Sequence, residues 1–306
     1  MGAADDDTTI AYLGELDFGA SAVSVPIMND AGILQVSPGD GLTSLTREPP
    51  GRPRAGPARY YPTNVRNFLR LVPNDLLQAE TMLDQIRETG AERLALVYDS
   101  EIYGRELAGE IIARARRDGP EPVGAEEYSG RVDDVPDIAH SLAESRPDAV
   151  AFAGVAGPGI GRLLAAIAKD MPGVPVFATN GMLVSHRPLP VAPSTVDAYS
   201  QFKPASELPR SGRQMLRRLR KLEGPYVARP EAVYGYEAMR VVLDAIAAAG
   251  PDRRRVIAAA LAVRTRHSKL GTYEVRATGD VDEERFALYG LRSGRFEFER
   301  MVGGGS

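Results

Sequence analysis

Apolar residues in this chain fall into short continuous runs separated by stretches with helical periodicity, and the alternation begins near the amino terminus. Thr8–Gly14 (TTIAYLG) reads as a buried strand, Asp17–Asp30 (DFGASAVSVPIMND) as a helix behind it, and Gly32–Ser37 (GILQVS) as a second strand. Pro38, Gly39, Asp40 and Gly41 follow at its end. A strand, helix and strand with a glycine-bearing turn after each strand builds a parallel sheet, and ligands collect at the carboxyl ends of such strands. A long loop then runs to about Arg66. Within it Glu48–Pro57 (EPPGRPRAGP) holds four prolines and excludes regular structure. A connection of this length is functional or packed over a surface.

Beyond the loop, Asn67–Val72 (NFLRLV) is a short strand. Leu76, Ala79, Met82, Leu83 and Ile86 recur at helical spacing, and Gly90 supplies the stop. Strands at Arg93–Tyr98, Pro122–Tyr128, Ala149–Ala153 and Val174–Ala178 alternate with helical stripes through Leu107 and Ile111, through Ile138 and Leu142, and through Leu163 and Ile167. This pattern describes a doubly wound domain from about Asn74 to Ser200. Helix dominates next, over Glu207–Leu222, Pro230–Ala249 and Arg253–Val263. Short strands close the chain near Thr272–Arg276, Phe286–Leu291 and Arg295–Arg300. The late helices need a sheet to cover, and the amino-terminal sheet is the one left. The expected fold is therefore α/β, with two doubly wound parallel-sheet lobes. Residues 1–73 plus 202–283 form lobe 1, 74–201 plus 284–302 form lobe 2, and 303–306 form a linker-like tail. Crossings near Pro73, Phe202 and Asp282 would make a hinge and an interlobe cleft.

Composition narrows the function classes. The chain has 306 residues, 43% of them apolar and 25% charged, as in an ordinary globular protein. The net charge of −4 argues against a nucleic-acid-binding domain, which carries a basic excess. No apolar run approaches the roughly 18 residues of a membrane span. Cysteine is absent, which excludes disulfides, thiolate metal sites and a cysteine nucleophile while leaving the compartment open. Met1–Asp7 (MGAADDD) lacks the basic start and apolar core of a signal peptide, so the protein is cytoplasmic or its leader has been removed.

Catalytic signatures are missing. Gly154–Gly161 (GVAGPGIG) follows a strand and opens a helix, but Gly157, Gly159 and Gly161 are spaced GxGxG rather than GxGxxG. The next strand ends in Asn180, where a dinucleotide site would need an acid to hold a ribose. A tight strand-to-helix turn explains the glycines, as does a set of free amides lining a cleft. His140, His186 and His267 show no metal-ligand spacing, and His140 is expected to face solvent. No GxSxG, GxxxxGK[ST] or HExxH motif is present. Neither metal nor cofactor is implied. Arg213, Arg217, Arg218, Arg220 and Lys221 alternate with Met215, Leu216, Leu219 and Leu222, an amphipathic helix with a solvated face. Tyr234 and Tyr236 open a long helix and suit core or hinge packing. Tyr103, in Ser100–Gly104 (SEIYG), stands after a strand and at a helix start, where its ring is placed to cover a ligand.

Several segments together resemble the substrate-binding proteins of branched-chain amino-acid-type ABC transporters, which have the type I periplasmic-binding fold. They are YLGELDFGASAVSVPIMNDAGILQVSP, the loop ending in YYPT, NFLRLVPND, LVYDSEIYGREL, PDAVAFAGVAGPGIGRLL, EAVYGYEAM and GTYEVRATGDVD. The likeness runs over nearly all of residues 8–300. It implies a non-enzymatic, extracytoplasmic protein whose two lobes close on a small amino-acid-like or carboxylate ligand and deliver it to an ABC permease. The same module can serve as the sensing part of a receptor or regulator, and a dinucleotide-binding enzyme is the remaining alternative. By the resemblance, ligand contacts fall on Asp17, Phe18, Gly19 and Ala20 after the first strand and on Gly39, Asp40 and Gly41 after the second. Those of lobe 2 fall on Tyr103, Ala156, Gly157 and Asn180. Tyr234 walls the cleft. Phe18 stands where a serine is common and Asn180 where an ammonium-binding acid is common. Phe18 is then expected to stack on an aromatic or apolar ligand, and Asp40 to supply a cation site. The family also carries a strand, helix and strand ahead of the YLG strand. Without them lobe 1 is expected to be incomplete, with weak ligand binding and self-association.

Overall fold

The protein is described by a computed structural model that covers residues 2–16, 18–184, 188–189, 195–225, 227–262 and 264–304. A short helix, α1 (Gly2–Asp5), precedes β1 (Ala11–Leu13), α2 (Ser21–Asp30), β2 (Leu34–Ser37) and β3 (Phe68–Arg70). The three strands form a parallel sheet in the order β1-β2-β3, with Ala11 opposite Leu34 and Gln35 opposite Phe68. All four residues of β2 are buried, as expected for a parallel strand covered on both faces. The twofold alternation of the strand decides which face each residue serves. Leu34, Val36 and Leu69 join one core with Val233, Tyr234, Val241 and Val256. Phe68 points to a second core with Val25, Leu42, Leu45, Tyr60 and Tyr61.

The chain divides into two compact units: Met1–Pro49, Pro53–Asn74 and Phe202–Glu284 in the first, and Pro50–Arg52, Asp75–Gln201 and Arg285–Ser306 in the second. The first unit is completed by α7 (Arg210–Glu223), α8 (Glu231–Ala249), α9 (Arg253–Ala262) and a hairpin of β9 (Thr265–Ser268) and β10 (Gly271–Glu274). As the sequence pattern requires, the late helices cover the amino-terminal sheet: α8 lies on β1 and β2, and α9 on β2. Arg253 ties this layer to the strand starts, donating to the carbonyls of Thr9 (2.8 Å), Ala31 (3.1 Å) and Asp6 (2.7 Å).

The second unit contains α3 (Asp75–Glu88), β4 (Arg93–Asp99), α4 (Ile102–Asp118), β5 (Glu121–Tyr128), α5 (Val135–Glu144), β6 (Ala149–Ala153), α6 (Ile160–Asp170), β7 (Val176–Ala178) and β8 (Val196–Ser200). It ends with the hairpin of β11 (Arg285–Arg292) and β12 (Arg295–Gly303). Its seven strands are ordered β12-β11-β8-β7-β6-β4-β5, parallel from β5 to β8 and antiparallel beyond. The apolar stripes of α5 and α6 (Ile138, Leu142, Leu163, Ile167) pack with Val97, Val150, Phe152 and Val176 from the sheet.

Some elements differ from the sequence reading. The helix expected from Asp17 starts at Ser21, because Gly19 takes a positive φ of 76°, which a right-handed helix does not admit. Strands β8 and β9 fall outside the strands that the sequence pattern predicts. Gly303, expected in a linker-like tail, pairs with Arg285 because β11 continues opposite it. No described helix is long and apolar enough to cross a membrane.

Candidate functional site

In the first unit the turns after β1 and β2 converge on the start of α2. Ser37 Oγ accepts the amides of Gly39 (3.2 Å) and Asp40 (2.8 Å) and donates to the Glu15 carbonyl (2.7 Å). This fixes the second turn and drives the Asp40 side chain inward, where it is fully buried. Its Oδ2 accepts the Ser21 amide at 2.8 Å, and its Oδ1 accepts the amides of Leu42 at 3.0 Å and Gly19 at 3.4 Å. A helix start favours negative charge, and here the chain supplies that charge itself. Burial raises the Asp40 pKa, against the opposing pull of the Leu42 and Ser21 amides and the Arg70 charge. The expectation that Asp40 offers a cation site is thereby corrected, since its oxygens are taken up by amides inside the unit. Gly19, Gly39 and Gly41 are buried in the same turns, Phe18 and Ala20 are half-buried, and Asp17 lies outside the described residues.

Arg70 locks these turns from beneath. It is completely buried and donates to the carbonyls of Asp40 (3.1 Å) and Leu42 (2.9 Å) and to Thr46 Oγ1 (2.9 Å). Its Nε lies 3.0 Å from Asp280 Oδ1. Burial works to raise the Asp280 pKa. The Arg70 charge, the Thr278 and Thr46 hydroxyls and the Arg47 charge outweigh it and leave the group below its ordinary value. Tyr234, expected to wall the cleft, is buried in this unit: its hydroxyl accepts the Lys203 amide at 3.0 Å, and its ring meets Phe202 edge-on at 5.0 Å.

The second unit repeats the device at the end of β4. Asp99 Oδ2 accepts the Val155 amide (2.7 Å) and Oδ1 the Glu101 amide (3.1 Å), so one carboxylate gathers the turns after β4 and β6. Burial raises its pKa, with the Val155 and Glu101 amides acting against the shift. Glycine makes the approach feasible. A Cβ on Gly104 would stand 2.2 Å from Asp99 Oδ1, and one on Gly181 would stand 2.1 Å from the Gly154 carbonyl oxygen. Ala156 N donates to the Gly181 carbonyl (3.0 Å) and Ile160 N to that of Gly157 (3.1 Å). Of the two readings of GVAGPGIG, these bonds fit the tight strand-to-helix turn.

Tyr103, Asn180 and Ala156 come together at this end of the sheet. The Tyr103 side chain is buried, with its hydroxyl 3.2 Å from Gln78 Oε1 and in contact with Asn180 Oδ1. Its pKa is driven well up, first by burial and next by the negative charge of Asp75. Gln78 Nε2 and Asn180 Nδ2 are buried donors with no hydrogen-bond partner among the described residues. Sequence reading singled out neither Asp75 nor Gln78. Both belong to the first turn of α3, where an acid has the ordinary look of a helix start. The signal that could have found them is their place on the first helical turn after the NFLRLVPN strand end. Among the described residues no cluster of histidine and acid side chains could hold a metal ion. His140 is exposed beside Glu144, His267 Nδ1 lies 2.9 Å from Thr272 Oγ1, and His186 lies outside the described residues.

The profile of the family described as periplasmic binding protein matches residues 4–286. The chain belongs to that family. No curated protein matches it. Among solved structures, this periplasmic binding protein is similar to an ABC transporter substrate-binding protein from Desulfitobacterium hafniense in complex with leucine, at 20% identity and a TM-score of 0.73. That likeness covers 97% of this chain and 82% of the other. A leucine-binding protein from Thermotoga maritima is 19% identical with a TM-score of 0.77, covering 98% and 81%. A solute-binding protein of an R. palustris ABC transporter, in complex with benzoate, is 17% identical with a TM-score of 0.75, covering 99% and 83%. These likenesses establish the type I periplasmic-binding fold, mixed α/β with mostly parallel sheets.

Proposed function

We propose that this periplasmic binding protein captures a small organic solute outside the cytoplasm, by closure of its two units, and hands it to an ABC permease. The observation that carries this reading is the family match across residues 4–286. The solute is of the size of leucine or benzoate, which the solved relatives hold. In the first unit the contacts come from the turns of Phe18, Gly19 and Ala20 and of Gly39 and Gly41, with Asp40 holding both turns in shape. In the second they come from Tyr103, Asn180, Ala156 and Gly157, joined by Gln78 and Asp75. Two buried side-chain amides with unmet donors, Gln78 Nε2 and Asn180 Nδ2, favour a solute that presents a carboxylate or carbonyl acceptor. Closure follows if the solute makes more contacts in the closed form than in the open one.

A thermal-shift panel of amino acids, amides, short-chain acids and aromatic acids tests the reading. A ligand bound only by the folded state stabilises it by about 2.7 kcal/mol at a hundredfold excess over Kd. At least one class is expected to raise the melting temperature saturably. If no compound in the panel moves the melting temperature at millimolar concentration, the reading fails.

A further inference from the structure

Helix α7 carries none of the residues assigned to the solute, and packing uses little of it. Gly212 and Leu216 are its buried residues. A Cβ on Gly212 would stand 2.4 Å from the Lys269 carbonyl oxygen, so the helix is pressed onto the β9-β10 turn at that point and turns most of its remaining surface outward. Between α7 and the start of α8 lies a groove of about 730 Å³. Its apolar lining is Met215, Leu219 and Leu222, spaced i, i+4, i+7 along α7, together with Tyr236 of α8. Leu222 is 79% exposed. The apolar strip continues along α8 through Tyr236, Met239 and Leu243, which are 40%, 44% and 47% exposed. Contiguous apolar surface of this kind, rimmed by polar groups, marks interaction sites.

The rim is cationic. Arg217, Arg218, Lys221 and Lys269 line the groove, and no acidic side chain does among the described residues. Lys269 Nζ lies 5.2 Å from the centroid of the Tyr236 ring, which joins the basic and apolar parts of the surface. A chain with a net charge of −4 therefore gathers positive charge along one apolar channel.

We propose that this groove receives an acidic amphipathic helix of a partner protein. The groove is walled by α7 on one side and by Tyr236 of α8 and Lys269 on the other, so a helix laid along α7 would cover its apolar floor and meet its cations. Its apolar residues make one stripe along α7, against which the i, i+3, i+4, i+7 anchors of a partner helix would lie. Its cations stand where acidic residues flanking a partner's apolar stripe would fall, and such complementarity governs partner choice and association rate. A planar bilayer would reach the rim and leave the channel unfilled.

The test uses the full chain and two fluorescent helical peptides with one shared leucine face, one flanked by glutamates and the other by lysines. Fluorescence anisotropy is expected to show saturable binding of the glutamate peptide and none of the lysine peptide. Replacing three exposed cations together, R217E/R218E/K221E, is expected to weaken binding by about tenfold or more while the thermal melt stays unchanged. The wild-type complex should also weaken as salt is raised, because exposed charge pairs are screened. Equal affinity for the two peptides, no saturable binding of the glutamate peptide, or an unaffected triple variant overturns the proposal. Binding to phosphatidylglycerol vesicles without peptide binding also overturns it, in favour of an anionic bilayer.

Discussion

Asp40, Asp99 and Asp280 show how one residue type is put to two uses. Asp40 and Asp99 gather backbone amides after parallel strands, and burial raises the pKa of each. Asp280 faces the buried Arg70 guanidinium and is lowered despite its burial. The sign of the pH dependence differs accordingly. A raised folded-state pKa means that ionisation opposes folding, so Asp40 and Asp99 favour the fold more as pH falls through their folded values toward 3.8. Asp280 stabilises the fold fully above its unfolded value near 3.8, and this contribution is lost as pH falls through its lower folded value. Removing one partner of a buried ion pair costs about 3–5 kcal/mol. Asp280→Asn is therefore expected to lose stability of that order at pH 7. Urea unfolding should show the gap from wild type holding at pH 5 and closing below about 3.8. A gap that stays constant to the lowest pH at which wild type folds would exclude the Arg70 pair as its source.

At the scale of elements, what the sequence reveals follows from how local its cause is. The α5 and α6 stripes are legible because apolar periodicity of 3.6 and core burial coincide in them. Helix α7 starts at Arg210 rather than at the Glu207 that the pattern predicts, because Pro209 precedes it with an extended ψ of 160°. Strand β9 (TRHS) has no apolar alternation and exists through its pairing with β10 and the bonds of Arg266 to Glu237 and Asp244. Strand β8 is set by neighbours on both sides, the preceding strand β7 and, from a distant part of the chain, β11. The candidate site divides the same way. Tyr103 and Asn180 stand out as a ring and a side-chain amide at strand ends, whereas the inward turn of Asp40 depends on three amides that no spacing announces. Strand β1 has one strand neighbour among the described residues, β2. Leu13, Leu16, Val23 and Ile27 are exposed on β1, the turn after it and α2. Open edges with apolar flanks pair with other chains. We infer association with a second copy through this edge, read by light scattering coupled to size exclusion. The apparent mass should rise with concentration and fall back in Val23→Lys, while a concentration-independent monomer would exclude it.

For the molecule as a whole, the chain builds two α/β units rather than one, and it passes between them at several points in the sequence. Each unit places polar groups at the carboxyl ends of its parallel strands, which is where open α/β sheets hold ligands. The proposed capture depends on a property neither unit has alone, a distance that changes when solute arrives. The chain contains no cysteine, so two introduced cysteines can be labelled without background. Ala258 in α9 and Ala165 in α6 are exposed helical positions, one in each unit. Single-molecule energy transfer between dyes at Ala258→Cys and Ala165→Cys reads the separation of the units directly. With the solute that raises the melting temperature, transfer should change saturably, with the same midpoint as the thermal shift. A solute that stabilises the protein at full occupancy and leaves the transfer unchanged would contradict closure as the means of capture.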